Sequence, residues 1–312
     1  MRILELAACP ACGAEAFRGF QIGPGQPLRR CERCGTVSAP EYADPQQVYV
    51  DGYMFGQAGP FGLDVRAPDF QRYLIRVAGR RVGMLERASG LRFGSLLDVG
   101  SGTGEVLLAA QQRGWRAQGV EPEQTAAEMA RDRGPSVVVA KLEDSGLPER
   151  TYDVVSAFHV LEHIADSRAF LRTMARWARP GGYVAIEVPN FASVQRRRLG
   201  EAWTGLRPRE HLVHFTPQTL RRTFAAAGIE PVLVRSPAYI GPPQTLDQAL
   251  WDLVRPSGRL HRLLRPLCHV GHRDGTPVAY PTPPAWLVLR LVEAIYDAAG
   301  AGAVVVCVGR VR

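Results

Sequence analysis

Seven consecutive residues, Asp98-Val99-Gly100-Ser101-Gly102-Thr103-Gly104, constrain this chain more than any other stretch. They follow a short apolar run, Ser95-Leu96-Leu97, and precede a helical one from Glu105 to Arg113. A strand, a glycine turn and a helix in that order present backbone N–H groups and a helix N-terminus to a ligand, as Rossmann-like α/β folds do. The spacing narrows the ligand. A pyrophosphate is cradled by G-x-G-x-x-G, whereas these glycines fall at 100, 102 and 104, with Asp98 two positions ahead. A carboxylate beside the turn suits a ligand carrying an ammonium group, not a diphosphate.

The next predicted strand, Arg116–Val120, runs into Glu121-Pro122. An acid at the end of the second strand, about twenty residues past a glycine turn, is the usual acceptor of ribose hydroxyls. A glycine turn and a ribose acid without pyrophosphate geometry point to S-adenosylmethionine (SAM). With these residues in place the chain resembles the class I SAM-dependent methyltransferases, in the broad small-molecule group that carries a His-Val-Leu-Glu-His-Ile segment, here at 159–164. The resemblance spans residues 90–235 well and the tail more loosely. It implies an α/β fold: a Rossmann-like seven-stranded sheet with helices on both faces, the last two strands antiparallel.

The resemblance also implies a cofactor site. Gly100, Ser101, Gly102 and Gly104 bring backbone close to the methionine part of SAM, and Asp98 orients the turn or meets the ammonium. Glu121 accepts both ribose hydroxyls and Pro122 packs near the adenine. Many relatives hold the adenine amine with an Asp where Lys141 stands, so that contact passes to the Leu142 backbone and the Glu143 side chain. The fourth strand ends Ser156-Ala157-Phe158-His159 and faces the methyl group. Phe158 joins the cofactor set, and His159 is the first candidate for a base or substrate-orienting group, since a histidine titrates near neutrality. His163 reads as structural. His214 and His211, in Arg209–Thr216 beyond the fifth strand, are second-rank catalytic candidates. His159, Glu162 and His163 are spaced i, i+3, i+4 and would share one face of a helix starting early enough. Small-RNA and quinone-pathway O-methyltransferases hold a divalent cation with Glu-x-x-Glu-His and a later histidine. Here His159 replaces the first Glu, which makes a catalytic metal the weaker reading.

A second motif lies ahead of the sheet. Cys9-Pro10-Ala11-Cys12 and Cys31-Glu32-Arg33-Cys34 are two C-x2-C pairs separated by eighteen residues, each followed by a glycine, with short strands expected around Glu15–Ile22 and Leu28–Arg30. Such spacing predicts a zinc ribbon, its four thiolates closing a tetrahedral site with no open position for catalysis. Two disulfides or a redox pair are the alternatives. Cys268 and Cys307 are isolated and read as buried apolar residues.

The expected organisation is a ribbon at 1–38, a connector with lid helices at 39–90, and a SAM-binding domain at 91–312 with a helical insertion at about 237–300. Tyr49 and Tyr53 in the connector are candidates for the substrate pocket, and a helix is expected from Pro68 to Arg87. Further strands are expected near 136–140, 183–188, 229–235 and 303–311, and helices near 123–132, 166–178 and 217–227, with Asp166 as an N-cap. Helices over Leu246–Val254 and Trp286–Ala298 would fill the insertion, as a substrate cover, dimer contact or membrane-surface contact. No apolar run is long enough to span a membrane and no export signal precedes the cysteines, so a cytoplasmic protein is expected. The net charge is +8, carried almost wholly by arginine, with Lys141 the only lysine. Clusters at Arg196–Arg198, Arg207/Arg209 and Arg255–Arg265 fit a phosphate-bearing substrate, an acidic lipid surface, RNA or plain solvation. The sequence therefore predicts methyl transfer to oxygen or carbon of a small or carrier-linked metabolite, of sugar or natural-product type. A zinc-ribbon rRNA base methyltransferase is the chief alternative. It is disfavoured because the ribbon lacks exposed aromatics interleaved with arginine for stacking and the fourth strand lacks an Asn/Asp-Pro-Pro-Tyr ending. A non-catalytic SAM-binding interaction module is the third reading.

Overall fold

A computed structural model describes residues 3–23, 27–43, 68–207, 210–237, 268–273, 276–281, 291 and 294–312. The first elements are short strands: β1 (Ile3–Glu5), β2 (Phe17–Phe20), β3 (Leu28–Cys31), β4 (Val37–Ser38) and β5 (Glu41–Ala43). The helix α1 (Pro68–Ser89) follows, and then the alternation expected of an α/β fold: β6 (Ser95–Val99), α2 (Glu105–Gln112), β7 (Arg116–Val120), α3 (Gln124–Asp132), β8 (Ser136–Val138), β9 (Tyr152–Phe158), α4 (Ser167–Trp177) and β10 (Ala178–Pro189). After α5 (Val194–Leu199) come β11 (Val213–His214), α6 (Pro217–Ala226), β12 (Glu230–Arg235), β13 (Cys268–Arg273), β14 (Thr276–Pro281) and β15 (Val304–Arg310).

Seven strands form the main sheet in the order β12-β15-β10-β9-β6-β7-β8. The β10-β9-β6-β7-β8 portion is parallel, and β15 runs antiparallel to both β10 and β12. The reason is legible in the residues. β9 carries Val154, Val155, Ser156 and Ala157 buried on both faces, the continuous apolar pattern of a central parallel strand covered by helices. Helix ends are set by local chemistry. Asp166 caps α4 by accepting the Ala169 amide at 2.9 Å, as expected, and Thr216 with Thr219 makes a reciprocal capping box on α6. Chain order reverses around β6, with β7 on one side and β9 on the other, so the crevice beyond their carboxyl ends is where such sheets bind ligands.

Two features depart from expectation. The ribbon strands do not stand apart: β11 completes their sheet in the order β11-β4-β3-β2, pairing Val213 with Ser38 and His214 with Val37. The insertion, expected to be helical, carries the β13–β14 hairpin, while residues 294–298 are helical. The alternating Val270, Val278 and Tyr280 with turn-forming residues between the strands is the period-2 pattern that outweighed the overall Leu/Arg content. Tyr49, Tyr53, Arg209, Leu246–Val254 and Arg255–Arg265 lie outside the described residues. No described helix is long and apolar enough to cross a membrane.

Candidate functional site

At the carboxyl end of β6 the chain bends through left-handed glycines. Gly100 (φ 69°) and Gly104 (φ 83°) leave no room for a side chain: a Cβ would lie 2.6 Å from Val160 Cγ2 and 2.9 Å from Ala130 Cβ, respectively. The Gly100 and Ser101 amides donate to the Val120 carbonyl, joining the bend to the end of β7. Glu121 then closes the turn. Its Oε2 accepts the Gly102 amide at 2.8 Å and its Oε1 accepts the Glu123 amide at 2.9 Å. Burial raises the Glu121 carboxyl's hold on a proton, and these two N–H groups oppose that. Beneath the turn Asp98 is 2% exposed. Burial pushes it up to about 7, against a 2.7 Å hydrogen bond from Ser156 and the charge of Arg81. Ser101 Oγ is buried with no hydrogen-bond partner. A bend lined by an orphaned hydroxyl, a buried acid and a carboxylate fixed by backbone donors fits an aminoacyl nucleoside. Pro122 and Glu143 are exposed at its rim, whereas Leu142 and Phe158 are buried.

Beyond β9 stands His159, with φ 60°, a conformation that non-glycine residues seldom adopt and that gathers at functional sites. Its amide donates to the Glu187 carbonyl at 2.8 Å. Its ring faces two carboxylates: Nδ1 lies 3.3 Å from Glu162 Oε1 and Nε2 lies 3.2 Å from Glu187 Oε1. Arg81, on α1, pairs with Glu187 and lies over the Phe158 ring at 4.8 Å. Burial alone would lower His159, but the two carboxylates prevail and raise it to about 9, while both acids fall to about 2. Of the two expected roles, base or substrate-orienting group, this disfavours the first. A proton on each nitrogen would leave the imidazole no lone pair with which to act as a base near neutral pH and would commit both N–H groups to Glu162 and Glu187.

Two further histidines lie one turn on and beyond. Residues 161–163 form a 3-10 turn, so His159 shares no helical face with Glu162 and His163. Instead Glu162 meets His163 and His211, with one ligand atom from each lying within 4.8 Å of the others. His163 Nδ1 donates to the Glu210 carbonyl and His211 Nδ1 to the Gly205 carbonyl, each at 2.9 Å. Those bonds fix the tautomers, with Nε2 the unprotonated nitrogen of each ring. Burial lowers both histidines, His211 to about 3. Glu162 Oε2 is buried with no hydrogen-bond partner. His214 is 3% exposed, stacked on Phe191 at 5.2 Å and pushed by burial to about 4.

In the ribbon, Cys9, Cys12, Cys31 and Cys34 bring their sulfurs within 4.8 Å of one another. Cys9–Cys34 and Cys12–Cys31 are 3.6 Å apart and all four are free thiols. A disulfide needs about 2.05 Å. Zn–S bonds of about 2.3 Å place tetrahedral sulfurs about 3.8 Å apart. Arg29, whose Nε and Nη2 are buried without acceptors, lies over Phe17, and burial loosens its proton against the opposing influence of Cys9 and Cys31.

Glu187 and Arg81 were missed in the sequence. The available signal for the first was an acid inside the apolar run Tyr183–Val188; Arg81 is one of many arginines on an amphipathic helix and carried none.

Residues 70–234 match the family described as a methyltransferase domain. The ubiquinone biosynthesis O-methyltransferase of Escherichia coli is 30% identical over 154 residues, 46% of this chain and 61% of that protein. Its counterpart in Idiomarina loihiensis is 27% identical over 146 residues, 44% of this chain and 58% of that protein. A probable S-adenosylmethionine-dependent methyltransferase of Mycobacterium tuberculosis is 37% identical over 93 residues, 29% and 33% of the two chains. The chain thus spans less than two thirds of the length of these curated relatives.

Proposed function

This chain belongs to the methyltransferase domain family, and on that premise we propose that it binds SAM in the crevice beyond β6 and β7 and methylates a small or carrier-linked metabolite. The single observation that carries the reading is the Glu121–Gly102 hydrogen bond of 2.8 Å, which joins the ribose acid to the glycine turn. Each Glu121 oxygen accepts one backbone N–H and keeps lone pairs for the two ribose hydroxyls. Asp98 would meet the ammonium, with Gly100, Ser101, Gly102 and Gly104 along the methionine chain. Pro122, the Leu142 backbone and Glu143 would border the adenine, and Phe158 the methyl-bearing end. When bound, SAM supplies an electrophilic methyl group and its own thioether leaving group. The protein's share is then alignment and exclusion of water, which can supply about 7–11 kcal/mol. His159, held as a cation, orients an electron-rich acceptor. The neutral His163 can receive the proton of an acceptor hydroxyl, a contribution of about 10²–10⁴-fold, whereas His211, pushed by burial to about 3, is too weak a base to share that role. Oxygen as the acceptor atom is favoured by the relatives named as O-methyltransferases; carbon remains the other option. The four cysteines would hold zinc as a structural ion.

A second reading of the reactive face is favoured by one observation, the unpartnered buried Glu162 Oε2. With His163 and His211 it could hold a divalent cation that lowers the acceptor's pKa in place of a base.

Titration calorimetry with S-adenosylhomocysteine tests the main reading. Uptake by the folded protein, weakened at least about tenfold in Glu121→Gln through loss of charged hydrogen bonds, is the expected result. No uptake by the unsubstituted protein would end it. Transfer of labelled methyl from SAM into metabolite pools, with and without added Mg²⁺ or Mn²⁺, then separates base from metal.

A further inference from the structure

Some arginines in the body of this protein find acids: Arg81 pairs with Glu187, Arg133 with Glu105 and Arg179 with Asp153. Among the described residues Arg30 and Arg196 pair with none. Each lies on an aromatic ring instead, Arg30 4.5 Å from the centroid of Phe20 and Arg196 4.5 Å from that of Phe191. The two rings are neighbours, 5.9 Å apart. Phe20 and Arg30 come from β2 and β3 of the ribbon sheet, Phe191 and Arg196 from the segment after β10, so two parts of the fold converge on one aromatic floor.

Like charge accumulates there. Arg18 stands directly opposite Arg30 across the β2–β3 pair, a juxtaposition that costs stability unless something neutral or negative intervenes. Arg197 adds a further charge beside Arg196, and burial together with Arg197 and Arg30 loosens the proton on Arg196. Arg30 Nε is buried with no acceptor, and Arg196 spends its own Nε on the Phe191 carbonyl at 2.8 Å. No described carboxylate pairs with Arg18, Arg30, Arg196 or Arg197. Two planar guanidinium groups on an aromatic floor match a tetrahedral anion that can accept several hydrogen bonds at once. The floor also reaches the reactive face, because Phe191 stacks on His214.

We propose that Arg30 and Arg196 bind a phosphate or diphosphate group of the methyl acceptor, with Arg18 and Arg197 at the rim. That the anion belongs to the acceptor rests on the methyltransferase reading above; the anion site itself does not. A compact pair of guanidiniums favours a phosphorylated small molecule over a nucleic acid, which needs a longer basic track.

Inorganic pyrophosphate is the probe, titrated calorimetrically at constant ionic strength into the zinc-loaded full chain, its Arg30→Gln and Arg196→Gln variants, and Arg30→Lys. Saturable binding weakened about tenfold or more by either Gln substitution, and only partly kept by Lys, is expected. S-adenosylhomocysteine affinity should stay within about twofold, because the 98–104 turn is built without these side chains. If Arg30→Gln disturbs the ribbon, seen as lost zinc, Arg196→Gln decides alone, since it lies on a different element. Pyrophosphate binding that is absent, or unchanged in Arg196→Gln, overturns the proposal. So does tighter, steeply salt-dependent capture of a single-stranded RNA that both variants lose. Failure of the nucleoside to bind would instead fall on the proposed function and leave the pyrophosphate result to stand by itself.

Discussion

His159 shows how far a residue's surroundings can move its chemistry. Its raised proton affinity contributes stability that is full below its ordinary value of 6.5 and is lost as pH rises through about 9. Glu162 and Glu187 contribute in the other direction, fully above about 4.5 and not below about 2. The cluster's contribution to stability is therefore full between about 4.5 and 6.5 and declines above that range, while its charges persist until about 9. Methyl transfer is expected to decline as pH approaches 9, with a His159→Gln variant losing that upper limb. A rate that instead rises through an apparent pKa near 6.5, in a His159-dependent manner, would restore the base role. In the sequence His159 was visible as a candidate, since it ends the fourth strand. Its charge was not, because that depends on Glu187, 28 positions away and brought to it only by the β9–β10 pairing.

At the level of elements, β11 is where two modules meet. Strand β4 of the ribbon pairs with it, and the Ala39 amide donates to the Leu212 carbonyl while the Leu212 amide donates to the Glu162 carbonyl. The His211–His214 segment thus hangs between the thiolate module and the 161–163 turn. Arg222, on α6, adds a 3.0 Å bond to the Cys34 carbonyl. Trp203 packs with Leu28 and Val37 of the ribbon and lies 6.5 Å from the His214 ring. Stripping the metal with a chelator is expected to shift Trp203 fluorescence and to raise amide exchange at 211–215, while S-adenosylhomocysteine still binds at the 98–104 turn. Unchanged exchange at 211–215 in metal-free protein would show the two modules to be independent. Strand and helix positions from 95 to 235 were readable from periodicity, glycine turns and caps. This shared strand was not, because Val213-His214 is too short to carry a pattern and its partner lies at the other end of the chain.

For the molecule as a whole, the buried Cys9, Cys31 and Cys34 belong to the same apolar cluster as Leu171, Leu212 and Phe224. Through these cysteines and Ala11 the ribbon shares the apolar core of the sheet. Deleting the first 43 residues is expected to yield a chain that aggregates or lacks a cooperative melt, checked by gel filtration and circular dichroism. A monomeric truncation that melts cooperatively and retains nucleoside binding would refute this. The seven-stranded sheet with its antiparallel last pair was implied by the family resemblance, but the integration of ribbon and sheet depended on contacts that no local pattern records.

One consequence concerns synthesis. The partners Ser38 and Val213 are about 175 positions apart, so a growing polypeptide emerges with β4 as an unclaimed sheet edge long before its mate is translated. Open edges invite pairing with strangers. If the knuckles hold zinc as proposed, an early-bound ion would keep that margin folded and waiting, and metal supply during translation would then set how much protein reaches the native state.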